Sequence, residues 1–167
     1  RWAVLGLVLG VGLLNKTSVI WLGAGVAAAL LFTRLRNHLR TRGPYLAATI
    51  ALLVFSPYIL WNVLHNYPHL EFMRNAAAGK YSGLTRSRFL VDQFVNINPP
   101  IFLLALLGMS WYFFSSEGRR FRFLVVVFLT AFGILLLNPH SKAEYIAAAY
   151  PVLFARGGMA VGRLGRR

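Results

Sequence analysis

Polar and apolar positions in this chain alternate in long blocks rather than residue by residue, and the apolar blocks approach membrane length. The first covers residues 2–32 and is broken once, at Asn15-Lys16-Thr17-Ser18. One continuous helix would reach about 46 Å, too long for a hydrocarbon core of about 30 Å, and would leave Lys16 in its middle. The break therefore predicts two short helices meeting at a polar elbow near one membrane surface. Gly6, Gly10 and Gly12 in the first arm, with Gly23 and Gly25 in the second, are spaced to let those two backbones approach closely. Residues 33–44 follow as a basic loop, and residues 45–64 as a clean span with an expected kink at Pro57. Residues 65–98 form the longest non-membrane stretch. Within it Phe89, Leu90, Phe94 and Val95 recur at helical spacing opposite Arg88, Asp92 and Gln93, which predicts a short interfacial helix. Residues 99–114 and 121–137 are two further spans, the first opened by Pro99-Pro100 as a first helical turn tolerates. A tight polar loop at 138–142 leads to a last helix that starts near Glu144 and contains Pro151. The pattern predicts an all-α polytopic transmembrane helix bundle with about six membrane segments, all of residues 1–167 forming one membrane domain.

Composition supports that class. The chain is 57% hydrophobic and 13% charged, with a mean hydropathy of +0.59, which excludes an ordinary soluble domain. A formal net charge of +14 would suit a nucleic-acid binder, but the basic residues sit in short clusters between apolar runs, as they do when they punctuate membrane spans. No nucleic-acid partner is expected. With alternating spans, one side collects Arg1, Arg34, Arg36, Arg40, Arg42, Arg119, Arg120, Arg122, Arg163, Arg166 and Arg167 against Glu117 alone. The other holds Lys16, Arg74, Lys80, Arg86, Arg88 and Lys142 against Glu71, Asp92 and Glu144. By the positive-inside rule the first side is cytoplasmic, so the 33–44 loop is cytoplasmic and the 65–98 loop extracytoplasmic. The expected location is the cell (plasma or inner) membrane, crossed several times. Arg156 fits neither side and is expected to snorkel toward the cytoplasm. The absence of cysteine removes disulfides, thiol nucleophiles and cysteine-based zinc sites. The chain opens on Arg1 directly into an apolar run with no recognisable signal peptide, and reads as a fragment lacking an N-terminal part.

The unusual polar groups converge on the outer side: Lys16, Asn62, His65, His69, Glu71, Lys142, Glu144 and Tyr145. Lys16 and Lys142 gain nothing from the charge rule there, and each lies between apolar helices, where an ionisable residue is a functional candidate. Snorkelling to the outer headgroups is the alternative. An outward pocket with lysines at membrane depth suits a lipid-linked phosphate or pyrophosphate, an anionic head on a tail that stays in the bilayer. Trp61, Tyr67, Tyr81, Tyr145 and Tyr150 could stack on sugar rings or form the interfacial aromatic belt. His65, His69 and Glu71 are a candidate metal triad, but Pro68 interrupts a regular helical pair, and no metal or other cofactor is expected. Glu71 and Asp92 are bases by chemistry alone; Glu144, beside Lys142 at a helix start, is a base or a dipole-capping carboxylate.

Three segments, GLVLGVGLLNKTS (6–18), PYILWNVLHN (57–66) and SKAEYIAAAYPVLFA (141–155), read together resemble those of family 39 glycosyltransferases. Residues 6–18 look like the family's "GLxLGLxxLxKxT" helix end. Residues 57–66 are similar to its "PxxxWNxxH" span end, and residues 141–155 to its "KxxYLxPAYPxLFA" segment. The resemblance implies a GT-C-type enzyme like the protein O-mannosyltransferases and the aminoarabinose transferase of lipid A. Such enzymes move a sugar from a polyprenyl-phosphate donor to a lipid, glycan or protein acceptor on the outer face. It implies that Lys16 binds donor phosphate, that Lys142, Glu144 and Tyr145 line the donor pocket, and that Asn62 and His65 hold their span end against it. The family's catalytic carboxylate follows the first span, and nothing here matches that region, so the catalytic residue is unknown and the fragment is expected to be inactive alone. Arg156 departs from the small residue the resemblance leads one to expect. The alternative to a transferase is a non-catalytic lipid-phosphate carrier or flippase subunit; a third reading is an assembly scaffold among membrane lipids.

Overall fold

The computed structural model describes residues 1–164, in which helices account for the regular structure and no strand occurs. The order is α1 (Trp2–Asn15), α2 (Val19–Phe32), a 3-10 segment (Arg34–Arg40), α3 (Gly43–Leu64), α4 (Pro68–Ala78), α5 (Arg86–Ile97) and α6 (Pro99–Phe114). A short 3-10 turn (Gly118–Phe121), α7 (Arg122–Leu137), a third 3-10 segment (Ala143–Ala149) and α8 (Pro151–Leu164) complete it. The all-α bundle is as expected. Arg166 and Arg167, assigned above to the basic side, lie outside the described residues.

The elbow forms where the polar break lies. Lys16 adopts an extended backbone and its N–H donates to the Gly12 carbonyl (2.8 Å), ending α1. The carbonyls of Lys16, Thr17 and Ser18 then accept from Val19, Ile20 and Trp21 to start α2. Gly12 lies against Val19 at the start of the second arm, but the other glycines do not serve the purpose expected of them. Gly6 and Gly10 are buried against α3, where added Cβ atoms would meet the Ala47 carbonyl at 2.5 Å and the Ala51 carbonyl at 3.0 Å. Gly25 faces Val127 of α7, and Gly23 faces open space. The two arms thus separate: α1 runs alongside α3 in the same direction, and α2 packs on α7. Elsewhere Gly108 and Gly157 make a reciprocal crossing of α6 and α8, each lying against the other helix's backbone at Leu153 and Leu104. Close backbone approach of this kind supplies packing where lipid removes the hydrophobic drive between helices.

Among the described residues two elements, 43–64 and 118–137, are long and apolar enough to cross a bilayer, or up to four if each sharply bent pair is one span. The expected six segments are fewer because α1, α2 and α8 have 14 residues each and α6 has 16. At about 1.5 Å per residue these reach roughly 21–24 Å, short of the hydrocarbon thickness. Pro57 lies inside a continuous α3, and the Leu53 carbonyl that it cannot pair accepts the Ser56 hydroxyl (2.8 Å). The last helix does not contain Pro151 but begins with it, since Ala147 already bonds the Tyr150 N–H in a 3-10 turn.

Residues 65–98 carry two helices rather than one. Asn66 and Tyr67 both take left-handed backbone, and Pro68 then opens α4. The helix expected around Phe89 is α5, and Gln93 departs from the polar face on which it was expected. Phe89 and Gln93 are buried while Leu90, Phe94 and Val95 are exposed. Gln93 leaves the polar face because its amide donates to the Ala143 carbonyl (3.2 Å) and accepts from the Tyr150 hydroxyl (3.0 Å). The core built on this helix includes Phe128, Ala131, Leu135, Ile146 and Leu153. Arg156 packs 3.5 Å over the Trp111 ring and reaches Glu117 at 3.6 Å, in the turn that carries Arg119 and Arg120.

Candidate functional site

The elbow places Lys16 at the end of α1 opposite the arginine-rich segment, which Trp2 anchors by an edge contact to His38. At that far end, Lys16 meets residues from two other parts of the chain. Its Nζ lies 5.1 Å from the centroid of the Tyr145 ring. The Tyr81 hydroxyl lies beside that of Tyr145, and Lys142 Nζ is 5.1 Å from the Tyr81 ring centroid. Lys142 also reaches Glu144 at 3.7 Å. Lys16, Lys142, Glu144 and Tyr145 therefore form one cluster, joined through Tyr81, which the sequence marks only as one aromatic among several.

Local structure explains the convergence. The 138–142 loop turns tightly: His140 N–H donates to Asn138 Oδ1, and Ser141 N–H to the Asn138 carbonyl. Gln93 pins the start of the Ala143–Ala149 segment, and Arg86 at the head of α5 caps α7 through the Leu137 carbonyl (3.3 Å). The His140 ring contacts the Tyr81 carbonyl at 3.3 Å, tying the loop before α5 to the loop after α7. Neither Gln93 nor His140 stood out in the sequence. A glutamine four residues after Phe89, on the stripe that packs inward, was the available signal for the first; His140 carried none.

The cluster is basic, aromatic and open. Burial pushes the Tyr145 hydroxyl up to about 12, with further help from the neighbouring Tyr81 hydroxyl and the Glu144 charge. Tyr145 thus presents a neutral ring to Lys16, as a cation–π contact requires. The Lys142–Glu144 pair is loose, with Glu144 more than half exposed, and such pairs contribute little to stability. Ser141, buried just before Lys142, has a hydroxyl with no hydrogen-bond partner among the described residues. Beside the elbow runs an apolar groove of about 500 Å³ lined by Leu7, Val8, Val11, Gly12, Asn15 and Val19. The arrangement can hold an anion near two ammonium groups while an apolar chain follows the groove.

Asn62 and His65 are engaged elsewhere. Buried Asn62 donates to the Tyr58 carbonyl (3.0 Å), and its side-chain oxygen accepts from the His69 N–H (3.2 Å). Its carbonyl accepts from the Tyr67 N–H (2.7 Å), so Asn62 builds the corner between α3 and α4. His65 stacks on Trp61 and bonds its carbonyl (2.8 Å), and the His69 ring lies on Tyr58. Their polar contacts stay within that corner. Among the described residues no three potential metal ligands converge, so His65, His69 and Glu71 form no triad. Asp92 is paired with Arg88 at 3.5 Å.

No curated protein and no solved structure matches the chain. A family model described as dolichyl-phosphate-mannose-protein mannosyltransferase matches residues 1–61. That stretch includes α1, the elbow with Lys16, α2, the arginine-rich segment and most of α3, and stops before Asn62. Over it the chain is similar to membrane glycosyltransferases of the GT-C type, and its apolar spans make it a membrane protein.

Proposed function

We propose that the chain is part of an integral-membrane glycosyltransferase that moves a sugar from a polyprenyl-phosphate donor to an acceptor on the outer face. The observation that carries this reading is the meeting of Lys16 and Lys142 around the Tyr81–Tyr145 pair, at the end of α1 away from the Arg34–Arg40 segment. The donor phosphate sits between the two ammonium groups, and its prenyl tail follows the groove beside α1. As the glycosidic bond breaks, negative charge grows on the phosphate leaving group, and positioned lysines stabilise that charge most in the transition state. Tyr81 and Tyr145 offer faces for the sugar.

In the full-length enzyme, Lys16→Ala is expected to lower donor turnover by about a hundredfold, the scale for losing one electrostatic stabiliser. Wild-type turnover at equal protein level would remove Lys16 from the site. One observation favours the non-catalytic carrier as a second reading: the carboxylate in this cluster, Glu144, is already paired with Lys142. A carrier would bind polyprenyl phosphate with no sugar transfer in the full-length protein.

A further inference from the structure

A second cavity lies at the opposite end from the lysine cluster. It measures about 600 Å³ and is bounded by two arginine groups far apart in sequence. Arg34 and Arg36 come from the segment after α2; Arg119, Arg120 and Arg122 come from the turn before α7 and its first residue. Charge sorting across a membrane explains why these residues share a side. It gives no reason for two groups of like charge to close on one hollow, where they repel. Among the described residues no carboxylate lines the cavity, and Glu117, the acid nearest in sequence, is turned to Arg156.

The arginines are partly fixed. Arg122 donates to the carbonyls of Tyr112 (3.2 Å) and Phe113 (2.6 Å), capping the end of α6. Arg120 lies 4.8 Å over the Phe121 ring. The remaining wall is apolar, made by Leu31, Phe32, Phe123 and Val126, and Phe32 is 81% exposed at the bundle surface. Positive groups at headgroup depth thus adjoin a surface suited to an acyl chain.

We infer that this cavity binds the phosphate of an anionic phospholipid headgroup. Guanidinium forks suit phosphate oxygens in bidentate pairs, and basic hollows between membrane helices recognise such headgroups. A free phosphate satisfies the same arginines but gains nothing from the wall at Leu31 and Phe32. This site is independent of sugar transfer, and its test requires no enzymatic activity.

The full-length protein, reconstituted in phosphatidylcholine nanodiscs holding a minority of phosphatidylglycerol, is released and weighed by native mass spectrometry. It is expected to keep phosphatidylglycerol after phosphatidylcholine has been lost. Arg36→Gln with Arg119→Gln is expected to lower that retention about tenfold or more, while Arg40→Gln with Arg42→Gln, equal in charge and outside the cavity lining, leaves it within about twofold. Equal loss in both pairs, or no retained anionic lipid in the unaltered protein, overturns the assignment. A second measurement needs no variant: excess inorganic phosphate is added before release. Retained lipid supports a lipid site; displacement by free phosphate overturns it.

Discussion

Gln93 shows how much one residue can decide. It is 2% exposed, and its amide joins α5 to both ends of the Ala143–Ala149 segment that carries Tyr145. Gln93→Leu would leave the Ala143 carbonyl and the Tyr150 hydroxyl without their partner, at a cost of about 2 kcal/mol. Thermal unfolding in detergent measures this; an unchanged midpoint would mean that the amide does not hold the segment. Tyr145 offers a second test. Its folded-state pKa of about 12 lies above the ordinary 10.0, so the folded protein keeps this proton longer than the unfolded chain does. The associated stability is complete below about pH 10 and is lost as pH rises toward about 12. Tyr145→Phe should therefore flatten the decline of the unfolding temperature across that window. An identical decline in both proteins would contradict the assigned environment. At this scale the sequence disclosed Lys16, Lys142, Glu144 and Tyr145 as unusual, because a charge between apolar blocks is visible in one dimension. It did not disclose their links through Tyr81 and His140, which depend on two loops meeting across the fold. Asn62 and His65 make their contacts at the corner between α3 and α4, and in one dimension polar groups at a span end look alike whether they bind a ligand or turn the chain.

Elements were legible where one physical signal dominates. The break at residues 15–18 gave the elbow, since lysine in hydrocarbon costs too much for a continuous helix. The α3 span stood out because nothing charged interrupts it. Helix partners were not legible: a glycine's spacing shows that some backbone comes close, not which one. Gly6 and Gly10 therefore read as facing α2 although they face α3. On α5 the position that departs from the expected pattern is Gln93, drawn inward by partners across the fold that its own spacing could not reveal. The neighbouring glycines of α8 provide a sharp check on packing. A Cβ at Gly157 meets the α6 backbone at Leu104, while one at Gly158 meets nothing within 4 Å. Gly157→Ala should cost about 2 kcal/mol by overpacking, and Gly158→Ala should be neutral or slightly stabilising. Equal unfolding temperatures for the two variants would contradict the α6–α8 crossing.

The whole molecule has two chemically different ends: an arginine-lined cavity at one and a cluster of lysines and tyrosines at the other. The assignment of the arginine end to the cytoplasm comes from the charge rule. Because the chain has no cysteine, single reporters are clean. Ser82→Cys, in the loop carrying Tyr81, should react with an impermeant thiol reagent from outside, and Ser116→Cys only after permeabilisation. The reverse pattern would put the lysine cluster on the cytoplasmic side and end the outer-face transferase reading. The most direct test of the central claim, that Lys16 and Lys142 grip one donor phosphate, is a double-mutant cycle on polyprenyl-phosphate binding in nanodiscs. Lys16→Ala and Lys142→Ala should each weaken binding about tenfold, and the double variant should lose less than the product of the two, because they share a ligand group. Full affinity in the double variant would contradict the account.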